Sequence, residues 1–99
     1  MEFNLIFTLR AEERLDHLLE FLSKYWGEKV HGDFISELEH CLTIIKVNPH
    51  AFSIIDNSSG LRKCVITPLN ILYYIVHGND IIIVSLENTR MDPDVINSF

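Results

Sequence analysis

Residues 61–87 read LRKCVITPLNILYYIVHGNDIIIVSLE, and this stretch decides the fold. It divides into three runs rich in Ile, Val, Leu and Tyr, at 61–67, 69–76 and 80–87, which have the composition of strands. Pro68 separates the first two and His77-Gly78-Asn79 the last two. Links this short, the second with a glycine free to take a positive φ, predict an antiparallel meander. Strands open to water on one face should alternate, yet residues 71–76 and 81–84 are apolar on both sides. Both faces of the sheet therefore call for cover.

Upstream, the apolar period changes from two to between three and four. Leu15, Leu18, Leu19, Leu22 and Trp26 form one stripe, with Glu12, Glu13, Asp16, Glu20 and Lys24 on the opposite side, which predicts an amphipathic helix from about residue 9. Acidic residues in its first turns suit the positive end of the helix dipole, and Gly27 is placed to stop it. A second stripe follows at Val30, Phe34, Leu38, Cys41, Leu42 and Ile45, ended by Asn48-Pro49. So short a connection predicts a helical hairpin closing on a common layer. Residues 2–8, with Phe3, Leu5 and Phe7 to one side, predict a half-buried strand at the start; its neighbour in the sheet stays open, with pairing at an edge of the meander expected. Residues 51–56 are ambiguous, and Asn57-Ser58-Ser59-Gly60 is a loop by composition. The predicted class is α+β: a strand, a helical hairpin on one face of the sheet, then the meander.

At 99 residues and 47% hydrophobic, the chain is one domain, 1–99, with room for a single core. Eight basic against 14 acidic residues give a net charge of -6. That is the wrong sign for broad attachment to nucleic acid or to an anionic membrane. No apolar run approaches the roughly 18 residues needed to cross a bilayer, and the start lacks the positive region of an export signal, so a cytoplasmic protein is expected. Cys41 and Cys64 fall in separate elements without metal-type spacing and read as thiols in a core. Glu37 and His40 make half of a di-iron motif whose other half is missing, so no metal and no cofactor is expected.

The helical hairpin can cover one sheet face, and residues 88–99, a polar tail with Val95, Ile96 and Phe99 as anchors, are too few to shield the whole of the other. An exposed apolar patch of that size marks a protein partner or self-association, including a homodimer of the chain made alone. The alternative is that helices and tail together close the sheet. Chemistry is sparse. His77, beside the hairpin glycine, is a general-base candidate or an exposed turn residue. Alternation puts Arg62 on one face with Cys64 and Ile66, and Lys63 on the other with Val65. Stabilising a phosphorane calls for converging cations, whereas the meander places Arg62 and Arg90 on the order of 15–20 Å apart.

The run Gly60-Leu61-Arg62-Lys63, the strand at 71–76 and Asn88-Thr89-Arg90-Met91-Asp92-Pro93, together with the front strand, the hairpin with Trp26-Gly27 at its bend and Asn48-Pro49, resemble the RelE/ParE superfamily of bacterial type II toxins over essentially the whole chain. The resemblance implies a toxin of a plasmid-stabilisation type of system, neutralised by a small antitoxin. Superfamily members of the RelE type cut mRNA in the ribosome with a set of basic residues and a late tyrosine; those of the ParE type lack the set and poison DNA gyrase. Here Arg62 and Arg90 match two of the nuclease cations, but Cys64 and Ile71 occupy other basic positions and no tyrosine follows Tyr74. The ParE-like reading leads, with Arg62, Lys63, Tyr74 and Arg90 as target or antitoxin contacts. The ribosome-dependent nuclease, with Arg62 and Arg90 on phosphate and His77 or Glu87 handling protons, is the alternative. A non-toxic interaction module is the third.

Overall fold

The computed structural model describes residues 3–88. The elements run β1 (Asn4–Phe7), α1 (Leu9–Val47), β2 (Ile54–Asp56), β3 (Leu61–Thr67), β4 (Asn70–His77) and β5 (Asp80–Asn88). The expected meander is β3, β4 and β5, and the sheet has five strands in the order β1-β5-β4-β3-β2. Gly78, at φ 60, makes the β4–β5 turn in a region that β-carbons avoid.

α1 is a hairpin. At 1.5 Å per residue a straight 39-residue helix would measure about 58 Å, whereas the longest extent of the molecule is 38 Å. The chain doubles back at Gly27, whose φ of 87 and ψ of 174 break the helical path. The first arm is 9–26 and the second 28–47. Thr8 caps the start, its hydroxyl oxygen accepting from the Ala11 amide while its hydroxyl donates to the Val84 carbonyl, 2.9 Å away. One side chain therefore ends β1, starts the helix and fastens both to β5.

The second arm follows its expected stripe: Phe34, Leu38, Cys41 and Ile45 are buried against Cys64, Ile66, Leu72, Tyr74, Ile81, Ile83 and Leu86. Of the first arm, Leu22 is buried and Leu15, Leu18 and Leu19 are half-buried against the same core. Trp26 departs from its stripe. It stands 63% exposed at the bend, next to Gly27, where the first arm ends.

β1 pairs in parallel with β5, Phe7 opposite Ile83, so edge pairing with the meander holds. The ambiguous segment after Pro49 resolves into β2, a three-residue edge strand with an irregular register against β3. A bulge in β5 sets the chemistry of its second half. Tyr73 pairs with Ser85 and Tyr74 with Ile83, leaving Val84 as the extra residue. Leu86 thereby faces the helices with Leu72, and Ser85 and Glu87 turn to the other side. On that other side, among the described residues, Ile71, Ile75 and Ile82 are half-buried, while Val65 and Ile6 are exposed. The expected tail and Arg90 lie outside the described residues.

Candidate functional site

Phe21, Leu22 and Trp26 from the first arm and Val30 and Phe34 from the second enclose one side of an open groove of ≈ 780 Å³. Its floor comes from the β3–β4 turn, Thr67 to Asn70, and from Leu86 and Asn88. Four of its apolar residues are exposed: Phe21, Trp26, Val30 and Leu69. Phe21 packs its ring 5.0 Å from that of Tyr25, itself exposed, so the aromatic surface continues around the bend. The rim is polar and differs between the arms. Arg14 and His17 stand on the first; Asp33 and Glu37, one turn apart, stand on the second. A concavity of this kind, apolar within and charged at its edge and left open by the described residues, has the form of a protein-docking surface.

Arg14 also belongs to a second polar arrangement. Arg10 and Arg14, one helical turn apart, reach the buried carboxylate of Glu87, with N···O distances of 3.8 and 3.5 Å to Oε2. The Ser85 hydroxyl donates to the same oxygen, and Arg10 Nε donates to Ser85 Oγ. β1 ends at Phe7, which leaves the second half of β5 without a neighbouring strand, and the first turns of α1 fill that edge. Burial and the Glu87 carboxylate both push the Tyr73 hydroxyl above its usual range. Glu87 is thus an anchor for two arginines. The sequence signal for this pair is two cations, Arg10 and Arg14, spaced four apart at the start of an otherwise acidic helical stretch.

Arg62 and Tyr74 occupy the opposite end of the hairpin. Arg62 lies on the helix side of β3, as alternation predicted, and its Nη1 donates to the carbonyls of His50 and Phe52. Tyr74 is fully buried; its hydroxyl donates to the Pro49 carbonyl at 2.8 Å, and Phe52 packs edge-on against its ring. Burial raises the Tyr74 pKa to about 12, against the pull of Arg62. Together they hold the connection that follows α1. Tyr74, expected as a contact residue, is thus buried beneath the connection, and Tyr73 beside it is buried as well. Lys63 is exposed on the other face, beside Val65, where a macromolecule can reach it.

Of the residues named for the nuclease reading, the described ones, Arg62, His77 and Glu87, do not converge. His77 lies in register with Asp80, and Glu87 with Ile71, six residues further along β4 or about 20 Å. Arg62 is engaged with the connection after α1, and Glu87 with the first turns of α1. Among the described residues, no three His, Cys, Asp or Glu side chains are grouped to hold a metal. None of the described helices is long and apolar enough to cross a membrane.

Residues 5–93 match the family described as ParE toxin of type II toxin-antitoxin system, parDE. The chain belongs to the ParE toxin family. It is accordingly a member of the RelE/ParE superfamily, and its α+β architecture agrees. No curated protein sequence matches. Among solved structures, the chromosomal ParDE system of P. aeruginosa superimposes with a TM-score of 0.72 at 14% identity, over 89% of this chain and 97% of that one. A YoeB/ParE toxin from Agrobacterium tumefaciens gives 0.63 at 14%, over 86% and 96%. The E. coli DinJ-YafQ toxin-antitoxin complex gives 0.62 at 10%, over 89% and 93%. At such identities these likenesses establish the fold.

Proposed function

We propose that this ParE-family chain is the growth-inhibiting toxin of a plasmid-stabilisation type of system, that it acts in the cytoplasm by binding a macromolecular target, with DNA gyrase the leading candidate, and that a cognate antitoxin neutralises it. The observation that carries the binding reading is the dispersal of Arg62, His77 and Glu87. Catalysis through the 2′-hydroxyl of RNA needs an acid, a base and charge stabilisation within a few ångström of one phosphate. Arg62 instead holds backbone carbonyls, and Glu87 is paired with Arg10 and Arg14.

The groove at the hairpin bend is the seat proposed for the antitoxin. An amphipathic segment would lay its apolar face on Phe21, Leu22, Trp26 and Val30 and set its flanks against the rim charges. Lys63 and Arg90 are proposed as contacts to target or antitoxin from outside the core. YafQ and YoeB relatives among the similar folds keep the ribosome-dependent nuclease as the second reading.

Induction of the chain alone, with DNA integrity and transcript integrity followed together, separates the readings. Arrest with double-strand DNA breaks and intact transcripts supports gyrase. Arrest with transcripts cut during translation, abolished by Arg90→Ala, would replace it with the nuclease. Normal growth at full expression would leave an interaction module.

A further inference from the structure

The two cysteines, far apart in sequence and without metal-type spacing, meet across the helix–sheet interface. Cys41 lies on the second arm of α1 and Cys64 in β3, and both are buried. The two thiols are close enough for each to influence the titration of the other. Both also lean on one backbone carbonyl, that of Val65, 3.5 Å from Cys41 Sγ and 4.0 Å from Cys64 Sγ. Both are free thiols. We propose that Cys41 and Cys64 are a redox-responsive pair, in which two-electron oxidation closes a disulfide that staples the second arm of the hairpin to the sheet. This goes beyond the toxin reading and does not rest on it.

The oxidant is a low-molecular-weight disulfide such as oxidised glutathione. One cysteine thiolate attacks a glutathione sulfur and expels a glutathione thiolate; the other cysteine thiolate then attacks the mixed disulfide and expels the second. The protein loses two electrons and two protons, and one glutathione disulfide becomes two glutathione thiols. Burial sets the pace. It raises the Cys64 thiol to about 12 and the Cys41 thiol above its ordinary value, with Glu37 adding to the rise at Cys41. Thiolate is scarce and the sulfurs are screened, so exchange waits on opening of the interface. The pair therefore answers a sustained change of redox poise and ignores a brief one.

Proximity in the folded state also fixes the consequence. Cys41 follows Phe34, a wall of the groove, by two helical turns on the same arm, and the first arm carries no cysteine. Oxidation would bind one wall of the groove covalently to β3 and leave the other free.

The test uses the full chain, equilibrated in glutathione buffers of increasing oxidised-to-reduced ratio, quenched with N-ethylmaleimide and read by intact mass. The expected product is a monomer lighter by two hydrogens, carrying no maleimide and no glutathione. It should melt on the order of 10 °C above the reduced chain and return to it in dithiothreitol, since the bridge closes a loop of roughly two dozen residues in the unfolded state. Cys41→Ala and, independently, Cys64→Ala should show neither change. Two alkylated thiols across the whole range, even after unfolding and refolding in the oxidising buffer, would overturn the proposal. So would predominance of glutathione adducts or linked dimers, or an oxidised monomer that melts below the reduced one.

Discussion

The two ends of the helical hairpin are built on opposite plans. At the root, where α1 runs into the sheet, the large side chains point inward: Ile45 and Tyr74 are fully buried, and the polar groups of Tyr74 and Arg62 are used on the backbone of residues 49–52. At the bend, Phe21, Tyr25, Trp26 and Val30 point outward around the groove. Burial of apolar area stabilises the chain only where both surfaces belong to it. The root serves the fold, and the bend has apolar surface left for another molecule.

The contrast is easiest to break at the root. Tyr74→Ala removes a fully buried ring and the hydroxyl that holds Pro49, and should destabilise the chain by about 3–5 kcal/mol in denaturant unfolding. Tyr74→Phe isolates the hydroxyl and should cost about 1 kcal/mol. If Tyr74→Ala unfolded with the midpoint of the parent, the root would not be holding the fold. Trp26→Ala should behave the other way round. Its effect on stability should stay within about 0.5 kcal/mol, while its loss from a docked interface should weaken antitoxin binding by about 2 kcal/mol or more, read by calorimetry.

Arg62→Ala tests the root's polar side. It strands two carbonyls of the connection and should lower stability by about 1–2 kcal/mol without abolishing toxicity. Loss of toxicity in a variant that melts like the parent would return Arg62 to a direct functional role. The smallest effect lies at the β2–β3 turn, away from both ends. The hydroxyls of Ser59 and Ser58 hold the Asp56 carboxyl below its ordinary value of 3.8. A depressed carboxylate contributes its stability fully above pH 3.8 and loses it as pH falls through the lowered value. Asp56→Asn should therefore melt slightly below the parent at pH 6, with the gap closing toward pH 2. A gap of the same size at both pH values would remove Asp56 from the account.

Most of the fold was legible because periodicity and punctuation agreed. The stripe at Phe34, Leu38, Cys41 and Ile45, the stop at Gly27 and the short links at Pro68 and Gly78 each dictate one local geometry, and together they admit little besides a hairpin on a meander. β2 was not legible, since three exposed residues of edge strand carry no burial pattern. The bulge at Val84 was hidden for a related reason. In an all-apolar run a one-residue slip leaves no trace in sequence, and only Glu87, which would otherwise face the helices, hinted at it. The site was read less well than the fold. The apolar run at 71–84 put the expected partner surface on the sheet, where Ile71, Ile75 and Ile82 are half-buried and Val65 and Ile6 exposed. Among the described residues the exposed aromatics, Phe21, Tyr25 and Trp26, gather at the bend, where Tyr25 breaks the stripe and the first arm ends. Tertiary facts of that kind, along with the meeting of Cys41 and Cys64, have no sequence period to announce them.

The bend is proposed to dock a partner, and the root to serve the fold alone. Titration calorimetry of the product of the adjacent reading frame against the parent chain, Trp26→Asp and Tyr74→Phe, at matched folded fraction, tests it directly. The expected result is a loss of at least about 30-fold in affinity for Trp26→Asp, with an unchanged melting temperature, and parental affinity for Tyr74→Phe. Parental affinity in Trp26→Asp, in a chain shown to bind its partner, would contradict it.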